Sequence, residues 1–597
     1  MAKTLTGSEI IVELLLQNSI KTVAGIPGGS ILPLYDELYR SSIKHVLVRH
    51  EQAAGFIAQG MARVSGKAAV CLATSGPGAM NLLTAIADAR CDSIPVVAIT
   101  GQVNTDLIGT DAFQEADTFG LSFPITKHSI LIKNAEELLT AIPLAFAVAE
   151  SGRPGPVLID VPRNVQLQKC TVPDDFDTSF QKIYDECVKQ RRVVKYQTEK
   201  SRAEAVIEQF CIRLLSSKKP VIYVGGGANN PRAAQKIDEF LKIFPSPVVA
   251  SLMGIGTIDT ARENWLGMVG MHGSYVANRA MYDADTVLAI GSRFDDRATG
   301  VVSKFCPNAS ILHIDIDAAE VNKILVSDSF LIEDAATALS LLNAQLAPAV
   351  KNAKFEKERS EWLSLLVSLK KEEKISCKMN CDSSECCGEK SCGAKKGVKF
   401  FDPRVFISDL EKKALENGVL SEKLLVTTDV GQHQMWTAQF FPVHRPRQLL
   451  TSGSLGTMGF GLPSAIGAAL ASPDSRVICI SGDGSILMNI QELATLSELN
   501  LNVTVIVLEN GALGMVRQQQ EYLFEKRYSA STFAKNPDLL SVASGFGIRT
   551  ANADSDADWA KRAFGEAGPC FVRASVARFE NVLPFVKAGF ANIDSIR

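Results

Sequence analysis

The sequence predicts an α/β protein made of three three-layer α/β/α domains with mostly parallel sheets. Three observations carry this. The chain has 597 residues, too many for one hydrophobic core. Short β-branched apolar runs alternate along it with segments of helical periodicity, joined by glycine-rich turns. In such an alternation each helix carries the chain back over the sheet, so successive strands lie parallel. This rhythm recurs in three stretches without a short repeat period, so three related domains are expected.

Composition narrows the class. Hydrophobic residues make up 46% and charged residues 21%, as in a soluble globular protein. A net charge of −3 and a pI near 6.2 give no electrostatic footprint for nucleic acid or an anionic membrane. No apolar run approaches the ~20 residues a membrane helix needs. Residues 10–16, interrupted by Glu13, read as an amphipathic helix rather than a secretory signal or an Arg-rich transit peptide, and a cytoplasmic protein is expected. Of thirteen Cys, eight lie in apolar segments such as Val70-Cys71-Leu72 and are expected to be small core residues in a reducing compartment.

Residues 1–168 form the first unit. A strand at 21–25 runs into Gly25-Ile26-Pro27-Gly28-Gly29, whose glycines let backbone approach a ligand. A strand at 45–50 leads to a helix opened by Glu51 and running to Ser65. Strand 68–73, the turn Ser75-Gly76-Pro77-Gly78, a helix to Ala89 and strand 95–100 repeat the pattern. Residues 60–67 are excluded as a phosphate loop, because the spacing is wrong and Ala68 replaces the required Ser or Thr. Polar residues 169–200 connect to a second unit, 190–346, with strands at 221–225, 247–250, 286–290 and 311–316. Gly225-Gly226-Gly227 ends the first of these but lacks full dinucleotide-fingerprint spacing. Residues 347–397, charged and then Cys-rich, read as a linker, and 398–580 as the third unit.

The third unit holds the most informative stretch, 476–520. An apolar strand at 477–481 is broken by Gly482-Asp483-Gly484. Apolar residues then return at helical spacing over 486–499, and a second strand at 503–508 ends in Glu509-Asn510-Gly511. As one β-α-β unit, both strands end on the same sheet edge, where α/β sheets bind ligands. The helix after Gly484 aims free N–H groups at that spot, which suits a phosphate. Asp483, Asn510 and a backbone carbonyl at Ala512 are hard oxygen ligands that suit Mg²⁺ bridging to a diphosphate. GDG alone reads equally as a tight turn with a capping Asp; an Asn 27 residues after the Asp, across a β-α-β, is far more specific.

That unit resembles the thiamine-diphosphate motif, with Glu509-Asn510 where Asn-Asn is usual. Taken in order with RHEQAAGFIAQGMARVSGKAAV, GQVNTDLIGTDAFQEAD, SGRPGPVLIDVP, GSRFDDRATG, TTDVGQHQMW and GTMGFGLPSAIGAAL, it makes nearly all of 4–580 similar to the acetohydroxyacid (acetolactate) synthase family. Within it the likeness is to large catalytic subunits of the bacterial isozyme I type. The resemblance implies a pyrimidine-binding domain (1–168), a central FAD domain (190–346) and a diphosphate-binding domain (398–580). It also implies a site shared between two copies of a homodimer or homotetramer, and a separate regulatory small subunit. The implied cofactors are thiamine diphosphate, Mg²⁺ and FAD. The implied reaction decarboxylates pyruvate and joins the hydroxyethyl unit to a second 2-ketoacid, pyruvate or 2-ketobutyrate, the first common step of branched-chain amino acid biosynthesis.

Roles follow by resemblance. Glu51 holds the proton relay at the aminopyrimidine, although an isolated Glu there reads as a first-turn residue favoured by the helix dipole. Arg297 holds the second substrate's carboxylate; its alternative is a structural Arg paired to Asp295 or Asp296. Gln114 stands near the reacting carbon, Phe113 and Met271 line the pocket, and Lys127 and Arg163 line the entrance. Val430, Gly431, Gln432, His433, Gly484 and Ser485 wrap the cofactor tail, with Gly28 and Met515 against the cofactor, and Met458 props it into a bent shape. His433 has no His or Cys at ligand spacing, so a phosphate hydrogen bond is expected of it rather than a metal. Arg153, Gly225, Gly226, Gly227, Met271, His272, Gly273, Arg293, Asp315 and Asp334 match flavin-contacting positions. Gln519 stands where many members have a Trp that favours 2-ketobutyrate. Cys377, Cys381, Cys386, Cys387 and Cys392 form an insertion that suits Zn²⁺, Cu(I) or a redox clip, or is chemically silent. A 2-ketoacid decarboxylase, a glyoxylate carboligase and a non-catalytic flavin scaffold are the alternatives. Glu51 argues against the second, Arg297 against simple decarboxylation, and intact Glu51, Asp483 and Asn510 against the third.

Overall fold

The computed structural model describes residues 3–194, 200–350, 354–382 and 400–597. Three six-stranded, all-parallel sheets lie between helices. The first runs in the order Lys44–Leu47, Thr22–Gly25, Ala69–Ala73, Val96–Gln102, Val157–Pro162, His128–Leu131. The second runs Trp265–Met268, Val248–Ala250, Pro220–Val224, Thr286–Ile290, Ser310–Asp315, Ser329–Ile332. The third runs Leu449–Leu450, Leu424–Thr428, Arg476–Gly482, Val503–Glu509, Cys570–Ser575, Arg549–Asn552. Central strands are buried throughout, as parallel sheets covered on both faces require. Among the described residues no helix is long and apolar enough to cross a membrane.

Several elements differ from the sequence expectation. The strand expected at 45–50 ends at Leu47, because His50 turns to cap the Glu51–Ser65 helix, its Nδ1 accepting from Gln52 N at 3.2 Å. The helix expected over 486–499 is two pieces, Asp483–Ile486 and Glu492–Leu499. Between them Asn489 Nδ2 donates to Gln52 Oε1 at 3.1 Å and to Gly459 O at 2.8 Å, and these distant partners interrupt the helix. The connector at 169–200 holds a strand paired antiparallel to Thr4–Thr6 and the Ser179–Val194 helix, whose Phe180 is buried against Phe146. The linker at 347–397 holds the Glu356–Asp382 helix. Its Trp362 and Leu366 are buried in the central domain, with Trp362 Nε1 donating to Pro220 O at 3.3 Å. The thiols of Cys377, Cys381, Cys386, Cys387 and Cys392 lie outside the described residues. Among the other eight, Cys71, Cys211, Cys306, Cys479 and Cys570 are buried, whereas Cys91, Cys170 and Cys187 are half-exposed. Cys91 lies near a helix end and Cys170 in a short two-stranded pair, where apolar neighbours do not guarantee depth.

The first and third domains meet along the Glu51–Ser65 and Gly461–Ala471 helices. A Cβ on Gly60 would lie 2.2 Å from Ser464 O, and one on Gly467 would lie 2.1 Å from Ile57 O. The two backbones thus touch, and only glycine permits that approach. The central and third domains are clamped at His444, whose Nδ1 faces Asp259 Oδ1 and whose Nε2 faces Glu411 Oε1, each at 3.0 Å. Burial opposes its charge, but hydrogen bonds to Glu411 and Asp259 outweigh it and raise the pKa above the ordinary histidine value. A raised histidine pKa stabilises the fold fully below the unfolded value and loses that contribution as pH rises through the folded value. The thermal midpoint difference between the native chain and His444→Gln is therefore expected to be largest at mildly acid pH and to shrink above it. A pH series of unfolding scans checks this.

Candidate active site

Three adjacent parallel strands of the third sheet, Leu424–Thr428, Arg476–Gly482 and Val503–Glu509, end side by side. Beyond the first comes Asp429 and the turn into the Gln432–Phe440 helix; beyond the second, Asp483; beyond the third, Asn510. The His433 ring fills the space between two glycines: a Cβ on Gly431 would lie 2.7 Å from it and one on Gly482 2.8 Å. Burial pushes His433 down to about 3, so the imidazole is neutral, and its Nε2 is buried without a hydrogen-bond partner. An orphaned ring nitrogen between two glycines fits a phosphate oxygen, and not a histidine-rich metal centre. Ser485 Oγ donates to Val430 O at 2.7 Å and ties the two turns together. Gly484 is needed for packing, since a Cβ there would lie 2.7 Å from Leu513 Cδ2.

Asp483 is buried, and its Oδ2 accepts from Gly511 N and from Asn536 Nδ2, each at 2.7 Å. Burial raises it to about 6 despite these bonds. Asn510 donates from Nδ2 to Gln432 Oε1 at 3.2 Å, and its Oδ1 accepts from Ala512 N at 3.0 Å. One carboxylate, one amide oxygen and one backbone carbonyl are hard donors that fit Mg²⁺ completed by phosphate and water. Among the described residues no group of three or more His, Cys, Asp and Glu is placed to hold a metal by itself.

A cavity of about 800 Å³ opens from this edge towards the central domain. The third domain lines it with Val430, Gly431, Gln432, His433, Met458, Asp483, Gly484, Ser485, Asn510, Ala512, Met515 and Gln519. The central domain adds Gly226, Gly227, Met271, His272, Arg293, Arg297 and Asp315, and the first domain adds Arg153. Arg153 Nη1 pairs with Glu320 at 2.5 Å and Asp317 at 3.3 Å. Burial raises Asp315 to about 6 and lowers His272 to about 4. The Arg297 side chain is 70% exposed, with Asp296 only at 3.7 Å, while Asp295 caps the backbone. Its guanidinium is thus not committed to a structural pair.

Other predicted residues lie off this cavity. Gly225 and Gly273 meet neighbouring backbone, at 2.1 Å from Gly291 O and 2.5 Å from Met268 O for an added Cβ. Asp334 starts the Ala335–Val350 helix at the surface, its Oδ1 accepting from Thr337 N at 3.1 Å. The Lys127 ammonium donates to the carbonyls of Val148 and, at 2.7 Å, of Ser151, at the end of the Leu138–Glu150 helix. Glu51, Gly28, Phe113 and Gln114 gather elsewhere, at the edge of the first sheet. Glu51 Oε2 accepts from Asn81 Nδ2 at 3.0 Å, and a Cβ on Gly78 would lie 3.3 Å from its Oε1. Gly28 abuts Thr74, and Gly76, at φ +56°, abuts the Gln114 backbone. Phe113 is 87% exposed. Most candidate residues therefore fall into two groups on one chain, while Asp334 and Lys127 stand in neither.

Two contributors escaped the sequence reading. Buried Asp429 accepts from Val430 N at 2.9 Å and Gly459 N at 2.8 Å and fixes the two turns that carry them; its place just after a strand was a usable signal. Asn536 bridges Asp483 Oδ2 and Glu509 Oε1, at 2.7 and 3.1 Å, from a loop with no motif.

Three models of the thiamine pyrophosphate enzymes match the chain: the N-terminal TPP binding domain over 5–121, the central domain over 207–342 and the C-terminal TPP binding domain over 429–574. The chain is 44% identical to the acetolactate synthase isozyme 1 large subunit of Escherichia coli (strain K12), covering 100% of this chain and 98% of that one. It is 40% identical to the isozyme 2 large subunit of the same organism, covering 99% of each. A probable acetolactate synthase large subunit of Methanocaldococcus jannaschii is 42% identical over 91% of this chain and 86% of its own. A sheet edge of this geometry, three matching domain models and similarity along the full length all point one way: the chain belongs to the thiamine pyrophosphate enzymes and, within them, to the acetolactate synthase large-subunit family.

Proposed function

We propose that the chain is the catalytic subunit of an acetolactate synthase, decarboxylating pyruvate and joining the two-carbon unit to a second 2-ketoacid. The observation that carries this reading is a cavity lined by Asp483, Asn510 and His433 together with Arg297 and Gln519. Asp483, Asn510 and the Ala512 carbonyl would hold Mg²⁺, and the orphaned His433 Nε2 would bond a diphosphate oxygen. Bound thiamine diphosphate supplies an electron sink for loss of CO₂. Arg297 fixes the carboxylate of the second 2-ketoacid by charge-assisted hydrogen bonds. Arg153, Arg293, Asp315, Gly226 and Gly227 surround the part of the cavity suited to FAD, which serves as a structural element because the overall reaction is redox-neutral.

Glu51 would hold a proton at the aminopyrimidine of a cofactor bound in the cavity of a second copy. Two features support this sharing: Glu51 lies off its own chain's cavity, and its domain exposes Met80, Phe113, Phe119, Leu121 and Phe123. A homodimer is the least assembly that completes the site, and a tetramer doubles it. A separate small subunit regulates it, in keeping with relatives named large subunits, and the cytoplasm is its compartment. Acetolactate formation from pyruvate with thiamine diphosphate and Mg²⁺, assayed with and without FAD, tests the reading; no product under any of these conditions rejects it.

Gln519 sets substrate choice. A polar side chain offers less apolar contact to the extra methyl of 2-ketobutyrate, a difference on the order of 1–3 kcal/mol relative to an aromatic one. Competition between pyruvate and 2-ketobutyrate is expected to show little bias, and Gln519→Trp to shift it towards 2-ketobutyrate by about tenfold or more. Product ratios at fixed substrate ratio read this directly.

A further inference from the structure

Residues 452–459 border the cavity, carry Met458, and are gripped at each end by carboxylates from different domains. At one end Asp429 Oδ1 accepts from Gly459 N at 2.8 Å, and Asn489 Nδ2 donates to Gly459 O at 2.8 Å. Both partners belong to the third domain. At residues 452–454 and at Thr457 the partners come from the Pro77–Asp92 helix of the first domain. Asp92 accepts from Gly453 N and Ser454 N, each at 2.9 Å. Asp88 Oδ2 accepts from Thr457 Oγ1 at 2.8 Å and from Ser452 Oγ, which in turn accepts from Thr457 N at 2.9 Å.

Both aspartate side chains are fully buried. The cation beside them is Arg63, 2.9 Å from Asp92 and 3.8 Å from Asp88, with its guanidinium 5.1 Å above the Phe460 ring. Two carboxylates facing one guanidinium in a dry interior require further donors, and the stretch supplies two N–H and two O–H groups. The conformation that delivers those four donors is thereby specified. A third grip comes from the central domain, where Arg293 donates to Ser454 Oγ and, at 3.0 Å, to Cys91 O of the first domain.

We propose that Asp88 and Asp92, bridged by Arg63, are positioning residues: they set the path of 452–458 and thereby place Met458 on the cavity wall, where the cofactor would bind. The inference rests on the thiamine-diphosphate reading of the cavity for its catalytic half only. It assigns the first domain two tasks, one for its own chain's site and one, through Glu51, for a neighbour's.

The test uses the full-length chain and its Asp92→Asn and Thr457→Val variants. Thr457→Val deletes one loop donor and leaves the Arg63 pairing intact, so it decides the matter should Asp92→Asn fail to fold. Hydrogen exchange of the amides at 453–457, measured without cofactor, is expected to quicken about tenfold in both variants. At saturating thiamine diphosphate and Mg²⁺, kcat is expected to fall about tenfold or more while KM for pyruvate stays near the native value. Unchanged exchange overturns the positioning role. Faster exchange with native kcat overturns its link to catalysis. Absence of acetolactate formation by the native chain would instead defeat the functional reading and leave the exchange result standing.

Discussion

Glu51→Gln is expected to lower acetolactate formation on the order of 10²–10⁴-fold, the usual contribution of a positioned proton-transfer group. Its unfolding midpoint should hardly move, since Glu51 is half-buried and the bond to Asn81 Nδ2 survives with an amide oxygen as acceptor. The loss alone would show only that the carboxylate matters. Mixing decides where it acts. Glu51 and Asp483 lie on different edges of the same chain, and the cavity containing Asp483 does not include Glu51. If each site takes Glu51 from one copy and Asp483 from the other, a mixed dimer of Glu51→Gln and Asp483→Ala chains contains one site with both native residues. Co-refolded or co-expressed mixtures of the two inactive variants are therefore expected to regain a substantial fraction of native activity. If both residues serve a site within one chain, every site in the mixture carries a defect and activity stays low. Rate against mixing ratio is the measurement.

Asp483→Ala is the second large effect. The wild-type carboxylate accepts from Gly511 N and Asn536 Nδ2, so its removal takes the acceptor from the half-buried Gly511 N–H, leaves Asn536 only its bond to Glu509 Oε1, and strips the proposed metal site of its charge. Activity is expected to fall about 10²-fold or more at millimolar Mg²⁺. Ligand-induced stabilisation gives an independent readout. A cofactor at about a hundred times its Kd stabilises a native chain by about 2.7 kcal/mol, enough to raise the unfolding midpoint by a few degrees. That rise, obtained with thiamine diphosphate plus Mg²⁺, should be present in the native chain and nearly absent in Asp483→Ala. An equal rise in both would place the metal elsewhere.

The three domains and their parallel sheets were legible because their causes are local. A β-branched run, a glycine turn and a helical repeat each fit within about twenty residues, and the Thr286–Ile290 strand and the Glu51–Ser65 helix fall where the pattern puts them. That Asp483 and Asn510 share one sheet edge was legible for the same reason: one β-α-β unit carries both, and its topology brings the strand ends together without help from elsewhere. Local pattern misled where a distant partner intervened. The helix expected across 486–499 is cut because Asn489 bonds to Gln52 and Gly459.

Packing alone settled the rest. The glycines at 60 and 467 resemble ordinary helix residues until two backbones are seen to touch. Asp88 and Asp92 read as the polar end of a helix, yet they are buried and bound to a stretch more than 350 residues further along. Nothing in a window of sequence encodes such a pairing, because its energy arises only when both groups have left water together. The division of the candidate residues into two groups, Glu51 on one edge and Asp483 on another, has the same origin: local pattern sets what each strand end carries, and the docking of whole domains sets what those ends face.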